Sequence, residues 1–191
     1  MKKIVLIAAG VVVALVALVL GLAATQPDTF RVERKIVIDA PTPRIYFYLS
    51  DFRAWRDWSP WEKMDPDMKR TYSEGVGLGT TYAWEGNDKV GKGKMTIVDA
   101  RPLEQLRIRL EFSEPFAAQN VAEFTLVQVT GGTEVTWAMS GPNTFPGKIM
   151  SVFAGIDGMV GPDFETGLAN LKAIAEQQPP PPPPPIMPPA P

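Results

Sequence analysis

Two zeros narrow the chemistry this sequence can do. The chain has no Cys and no His. Without Cys there is no thiolate zinc site, no iron–sulfur cluster and no cysteine nucleophile. Without His there is no Ser-His-Asp relay, no imidazole metal site and no His-ligated haem. No cofactor and no metal are therefore expected, and acid–base work would fall to Asp, Glu, Lys, Tyr or Ser. Glu62, Asp65 and Asp67 lie close together. Their spacing does not fit an EF-hand, because no Gly and terminal Glu follow where the loop needs them. A solvated loop is the plain reading of the three. Glu62 stands apart because it follows Trp61, and desolvation by an apolar neighbour raises a carboxyl pKa. It is the one candidate general base. Gly75, Gly77 and Gly79, and then Gly91 and Gly93, could suggest phosphate loops. Neither run sits in a strand–loop–helix unit, so turns or bulges near strand ends are expected.

The apolar residues are more suggestive. Trp55, Trp58 and Trp61 fall within seven positions, around Pro60. That is a large apolar load for a loop, serving either as a rim over a cavity or as an anchor into the core. Tyr82 and Trp84 share one face of a strand pattern, and Phe112, Phe124 and Leu126 take inward positions in later strands. Met150, Phe153 and Met159 come from an apolar stretch near the end, and methionine adapts to irregular ligands. The candidate ligand-contacting residues are thus Trp58, Trp61, Tyr82, Trp84, Phe112, Phe124, Met150, Phe153 and Met159. The alternative for each is plain core.

These residues need elements to position them. Phe30 to Asp39 alternates with a period near two and reads as a strand. Thr42 and Pro43 then suit a helix start, with Pro43 at the first helical position. A short helix through Ile45–Leu49 and a turn around Phe52–Trp55 follow. Strand-like runs cover about 68–73, 80–85, 92–100, 105–112, 119–129 and 134–140. Leu106, Ile108, Leu110 and Phe112 alternate with charged residues, the mark of a strand buried on one face. Gly86-Asn87-Asp88 and Thr130-Gly131-Gly132 are hairpin signals. A long helix is expected from Gly161 to Gln177, with Phe164, Leu168, Leu171, Ile174 and Ala175 on one stripe. The stretch 145–160 reads as a looser first half of that helix or as a separate short one. No βαβ alternation occurs, so the sheet should be antiparallel and mostly a meander. A curved sheet closed by one helix leaves a gap between them, a natural ligand cavity.

The ends differ from the middle. Lys2 and Lys3 precede an unbroken apolar run, Ile4 to Ala24. About 20 such residues span a bilayer as a helix. The run is long for a cleaved signal peptide, so residues 1–25 are read as an anchor, with a signal sequence as the alternative. The two lysines favour a cytoplasmic N-terminus, which puts the rest on the exported side, the periplasm in a bacterium with two membranes. Residues 28–177 form the domain. Residues 178–191 open with seven consecutive prolines from Pro179, expected as a polyproline II rod. The tail is either a solvated extension or a ligand for a proline-recognising partner. Net charge is −2, with both signs interspersed. The basic footprint of a nucleic-acid binder is missing.

Several segments carry a family resemblance. Arg34-Lys35-Ile36-Val37-Ile38-Asp39-Ala40-Pro41, the stretch Leu49 to Trp61, Gly132-Thr133-Glu134-Val135-Thr136-Trp137, and Phe164 to Lys172 together resemble the SRPBCC superfamily. This superfamily is also called START-like or polyketide cyclase/dehydrase-like. The resemblance covers most of residues 30–176 and neither end. It implies an α+β helix-grip fold, a curved antiparallel sheet wrapped around a long C-terminal helix, here preceded by one transmembrane helix. It also implies an apolar cavity between sheet and helix. Members bind lipids, sterols, polyketides, hormones or quinones, and a minority are enzymes.

Three functions follow as expectations. The leading one is a membrane-tethered carrier of an apolar small molecule or lipid. The second is a cyclase/dehydrase-like enzyme using the same cavity, with Glu62, Asp157 or Tyr82 shaping the reaction. The third is an envelope interaction module working through its proline-rich tail.

Overall fold

A computed structural model describes residues 2–153 and 155–177 of the chain. The polyproline tail lies outside the described residues. The first element, α1 (Lys2–Ala24), is long and apolar enough to cross a bilayer. Signal sequences share that property.

The strands are β1 (Thr29–Ile38), β2 (Lys69–Tyr72), β3 (Thr81–Glu85), β4 (Lys92–Arg101), β5 (Gln105–Glu114), β6 (Ala118–Val129) and β7 (Gly132–Pro142). They form one sheet in the order β1-β7-β6-β5-β4-β3-β2, with every neighbouring pair antiparallel. β2 to β7 are a meander, and β1 closes the far edge against β7. Alternation decides the faces. Leu106 and Ile108 of β5, Ala122, Phe124 and Leu126 of β6, and Val135 and Trp137 of β7 all point inward and are buried.

Between β1 and β2 run α2 (Thr42–Ser50), a 3-10 turn (Phe52–Ala54), α3 (Trp55–Trp58) and α4 (Pro60–Met64). The Trp-rich segment expected as a loop is therefore helical. Pro60 at the first position of α4 is the local reason, since proline suits a helix start. Each indole buried there finds a partner. Trp55 Nε1 donates to the Leu49 carbonyl and Trp58 Nε1 to the Tyr48 carbonyl, both at 3.1 Å.

After β7 come α5 (Phe145–Phe153) and α6 (Gly155–Gln177). Gly155 joins them at φ +65°, a conformation that L side chains rarely adopt. The helix starts earlier than the expected Gly161, and Pro162 lies inside it. The proline ring presses on the carbonyl of the residue four positions back, which is Gly158, with no side chain to add crowding. The buried stripe of α6 is Phe164, Leu168, Leu171 and Ala175, with Gly161 and Gly167. Each fully buried Leu or Phe on it stabilises the docked helix by roughly 1.5–3 kcal/mol.

Polar ties fix α6 across β1. Arg34 of β1 bonds Asp157 at 2.8 Å and Glu165 at 2.6 Å. Glu176 accepts the Asp39 amide at 2.8 Å and also pairs with Lys172.

Candidate ligand site

Behind the sheet, two zones separate. The first is a packed aromatic core. Trp137 stacks on Phe164, with ring centroids 4.1 Å apart and an interplanar angle of 5°, and on Phe124 at 5.0 Å. Trp55 and Trp58 close on this stack edge-on. The second zone is a cavity of about 210 Å³. It is bounded by Trp55, Ser59, Trp61, Glu62 and Met68, by Tyr82 and Trp84 of β3, and by Met95, Leu110, Phe112 and Met139. Lys89 and Val90 of the β3–β4 hairpin, with Val160 and Asp163 of α6, complete its lining.

The candidate residues divide between these zones and a third place. Trp61, Tyr82, Trp84 and Phe112 line the cavity together. Trp58 and Phe124 do not line it. Both are fully buried in the aromatic stack, because their rings pack on Trp137 before they reach the cavity. Met150, Phe153 and Met159 lie elsewhere again, exposed on α5 and the first turns of α6. α5, with Met150 and Phe153, packs beside α1, and Met159 faces outward at the start of α6, so none borders the cavity.

Glu62 is buried at the cavity wall, but it is not a lone carboxyl. Its Oε2 accepts from Arg70 Nε at 2.6 Å, and its Oε1 accepts from the Tyr82 hydroxyl at 2.6 Å. Arg70 comes from β2 and Tyr82 from β3, so the ion pair ties α4 to the sheet. Burial pushes the Tyr82 hydroxyl well above the usual phenol range, and its hydrogen bond to Glu62 pushes it further. Burial alone would lower the Arg70 guanidinium, but the hydrogen bond and charge of Glu62 outweigh it and raise it. Behind Tyr82, Tyr72 stacks at 4.9 Å with its hydroxyl buried and unpartnered among the described residues. Burial raises the Tyr72 hydroxyl too, with the Glu62 charge adding to it.

Asp65 takes a structural role, and Asp67 stands exposed beside it. Asp65 accepts the Asn87 amide at 2.7 Å, pinning the β3–β4 hairpin beneath α4, and also the Asp67 amide at 3.2 Å. Asp157 is exposed at the surface, on Arg34, which lowers its carboxyl pKa. Among the described residues no three His, Cys, Asp or Glu side chains converge to hold a metal ion.

Gly93 makes room for the Trp84 ring that walls the cavity. It faces Trp84 across the β3–β4 ladder, and on its other side the β4–β5 register shifts between Lys92 and Gly93. A Cβ on Gly93 would lie 2.5 Å from the Trp84 ring. Only glycine lets that indole lie flat over the strand, with Nε1 donating to the Val90 carbonyl at 3.0 Å.

Sequence reasoning missed several wall residues. Met95 and Met139 stand at inward strand positions that period two alone would have found, and Leu110, read as inward, was not carried into the ligand set. Met68, Lys89 and Val90 left no such signal, because a loop and a hairpin fold over to place them.

A profile of the family described as polyketide cyclase/dehydrase and lipid transport matches residues 29–176. The chain belongs to this family. The match spans the polyketide cyclase/dehydrase domain from β1 almost to the end of α6. Among solved structures, protein CV1439 of Chromobacterium violaceum is 18% identical with a TM-score of 0.56, covering 80% of this chain and 100% of that one. A protein from Rhizobium leguminosarum is 14% identical with a TM-score of 0.58, covering 78% and 96%. The di-domain ARO/CYC StfQ from the steffimycin biosynthetic pathway is 11% identical with a TM-score of 0.57, covering 78% of this chain and 51% of its own. At these identities the likeness is one of fold. No curated protein matches the chain.

Proposed function

We propose that this domain is a carrier that holds an apolar small molecule, or the end of a lipid, between the sheet and α6. In this reading α1 tethers it to the membrane, with the domain on the exported side. The observation that carries the proposal is the unfilled apolar cavity. Aromatic and methionine side chains wall it, while the aromatic core beside it is packed solid. Pockets for small molecules usually measure roughly 300–1,000 Å³, so about 210 Å³ suits a small ligand or one end of a longer one.

The polar side of the wall narrows the ligand class. A carboxylate only accepts hydrogen bonds, and Tyr82 has already spent its proton on Glu62. The pair therefore offers acceptors, which fit a hydroxyl on an otherwise apolar ligand. The test is titration of the full chain in nanodiscs with a fluorescent long-chain alcohol, read by quenching of tryptophan. Saturation near one probe per chain is expected. Linear, unsaturable partitioning equal to that of empty nanodiscs would remove the proposal.

A further inference from the structure

The helix α5 has no buried residue, and a free nine-residue helix is marginal in water. Its neighbours are α1 and α6. Phe145, Met150 and Phe153 are 52%, 51% and 74% exposed. With Pro146 they fall within an arc of about 140° at 3.6 residues per turn. No charge lies on that arc. Lys148, the helix's one charged residue, turns away to Asp28 at 2.6 Å and keeps only 14% side-chain exposure. Asn143 binds the same segment, its amide donating to the Asp28 carbonyl at 2.7 Å and its side chain to the Pro27 carbonyl at 3.1 Å. The start of α5 is thus fastened to the residues that follow α1.

The strand register places other groups at this end. Thr29 pairs with Pro142, Ala118 with Phe112, and Lys92 with Glu114. The β5–β6 turn therefore sits at the end where α1 leaves, and Phe116 in that turn is 74% exposed. The β3–β4 hairpin, with Lys89 and Val90 at the cavity, is at the same end.

We infer that α5 and Phe116 rest in the boundary between headgroups and acyl chains of the bilayer that α1 enters, holding the cavity beside the lipid. This rests on the membrane tether proposed above. The occupant is the lipid surface because the uncharged arc continues directly from the end of an apolar span. Amphipathic helices that turn Phe and other apolar side chains toward the lipid lie at that depth.

The lack of cysteine allows single-site labels. Phe153→Cys, Phe116→Cys, Val129→Cys at the opposite sheet end, and Val12→Cys within α1 are each labelled with an environment-sensitive dye. Each full chain is reconstituted in phosphatidylcholine vesicles. The dyes at positions 153 and 116 should lose access to aqueous iodide and be quenched by shallow lipid-borne quenchers, while position 129 stays open to iodide. Position 12 should respond to mid-chain quenchers. Iodide access at 153 equal to that at 129, with position 12 deep, overturns this inference and leaves the tether standing. Position 12 outside the bilayer overturns both. Shielding of 153 that grows with protein-to-lipid ratio means a second copy covers α5, and also overturns it.

Discussion

Replacing Glu62 by Ala should cost far more stability than its place in a five-residue helix suggests. Glu62 and Arg70 keep only 5% and 12% side-chain exposure and meet at 2.6 Å. At an effective dielectric of about 20, two unit charges at that distance attract by about 6 kcal/mol. Much of this offsets desolvation, so the pair itself adds little net stability. Removing one partner is different, because the buried charge left behind costs about 3–5 kcal/mol. The Tyr82 hydroxyl also loses its acceptor. That loss is a large share of the roughly 5–15 kcal/mol that holds a domain together. Paired replacement, Glu62→Leu with Arg70→Met, should cost clearly less than the sum of the two single changes. The assay is urea unfolding of the full chain in detergent, followed by tryptophan fluorescence. A Glu62→Ala cost below about 1 kcal/mol, or additivity in the pair, would refute the reasoning.

Other expectations follow from the same geometry. Gly93→Ala should displace the Trp84 ring, lower stability by about 1–3 kcal/mol and weaken probe binding, seen in unfolding and titration of one preparation. Acidification should loosen the seam that holds α5 and α6 in place. Lys148 and Arg34 hold the Asp28 and Asp157 carboxyls below their usual range. Their contribution is therefore full above the ordinary aspartate value near ~3.9 and lost as pH falls through the depressed values. Hydrogen-exchange protection in residues 143–160, corrected for the intrinsic rate, should fall once the pH drops below about 4, ahead of protection in β5 and β6. If α1 is a retained anchor, the intact mass of the chain from its native host's membranes will include the first 24 residues.

Much of the fold was legible because period two and period 3.6 write themselves into the sequence. Leu106, Ile108, Phe124 and the stripe from Phe164 to Ala175 were assigned faces that the structure shows. The segment from Trp55 to Met64 was harder. Its helices are four and five residues long, too short for any period to register, and proline near Trp61 reads equally as loop. The site was legible by half for a related reason. Periodicity says which side chains point inward, but not which of them meet a neighbour before reaching the cavity. Phe124 and Phe112 both point inward, and only the position of Trp137 decides that one is core and the other wall. The pairing of Glu62 depended on Arg70, whose strand lies beyond a turn that sequence spacing does not orient. Met150 and Phe153 misled because an exposed apolar helix and a cavity-lining one share the same composition.

The central claim is that the hollow beside Glu62 and Tyr82 is kept open for a ligand. Native mass spectrometry of the full chain, purified in mild detergent, tests it most directly when wild type is compared with Leu110→Trp, whose indole would fill the space. Wild type should carry a lipid-like or apolar mass at about one per chain, and the filled variant, equally folded, should lose it. An empty wild type, or the same adduct on both proteins, would contradict the account.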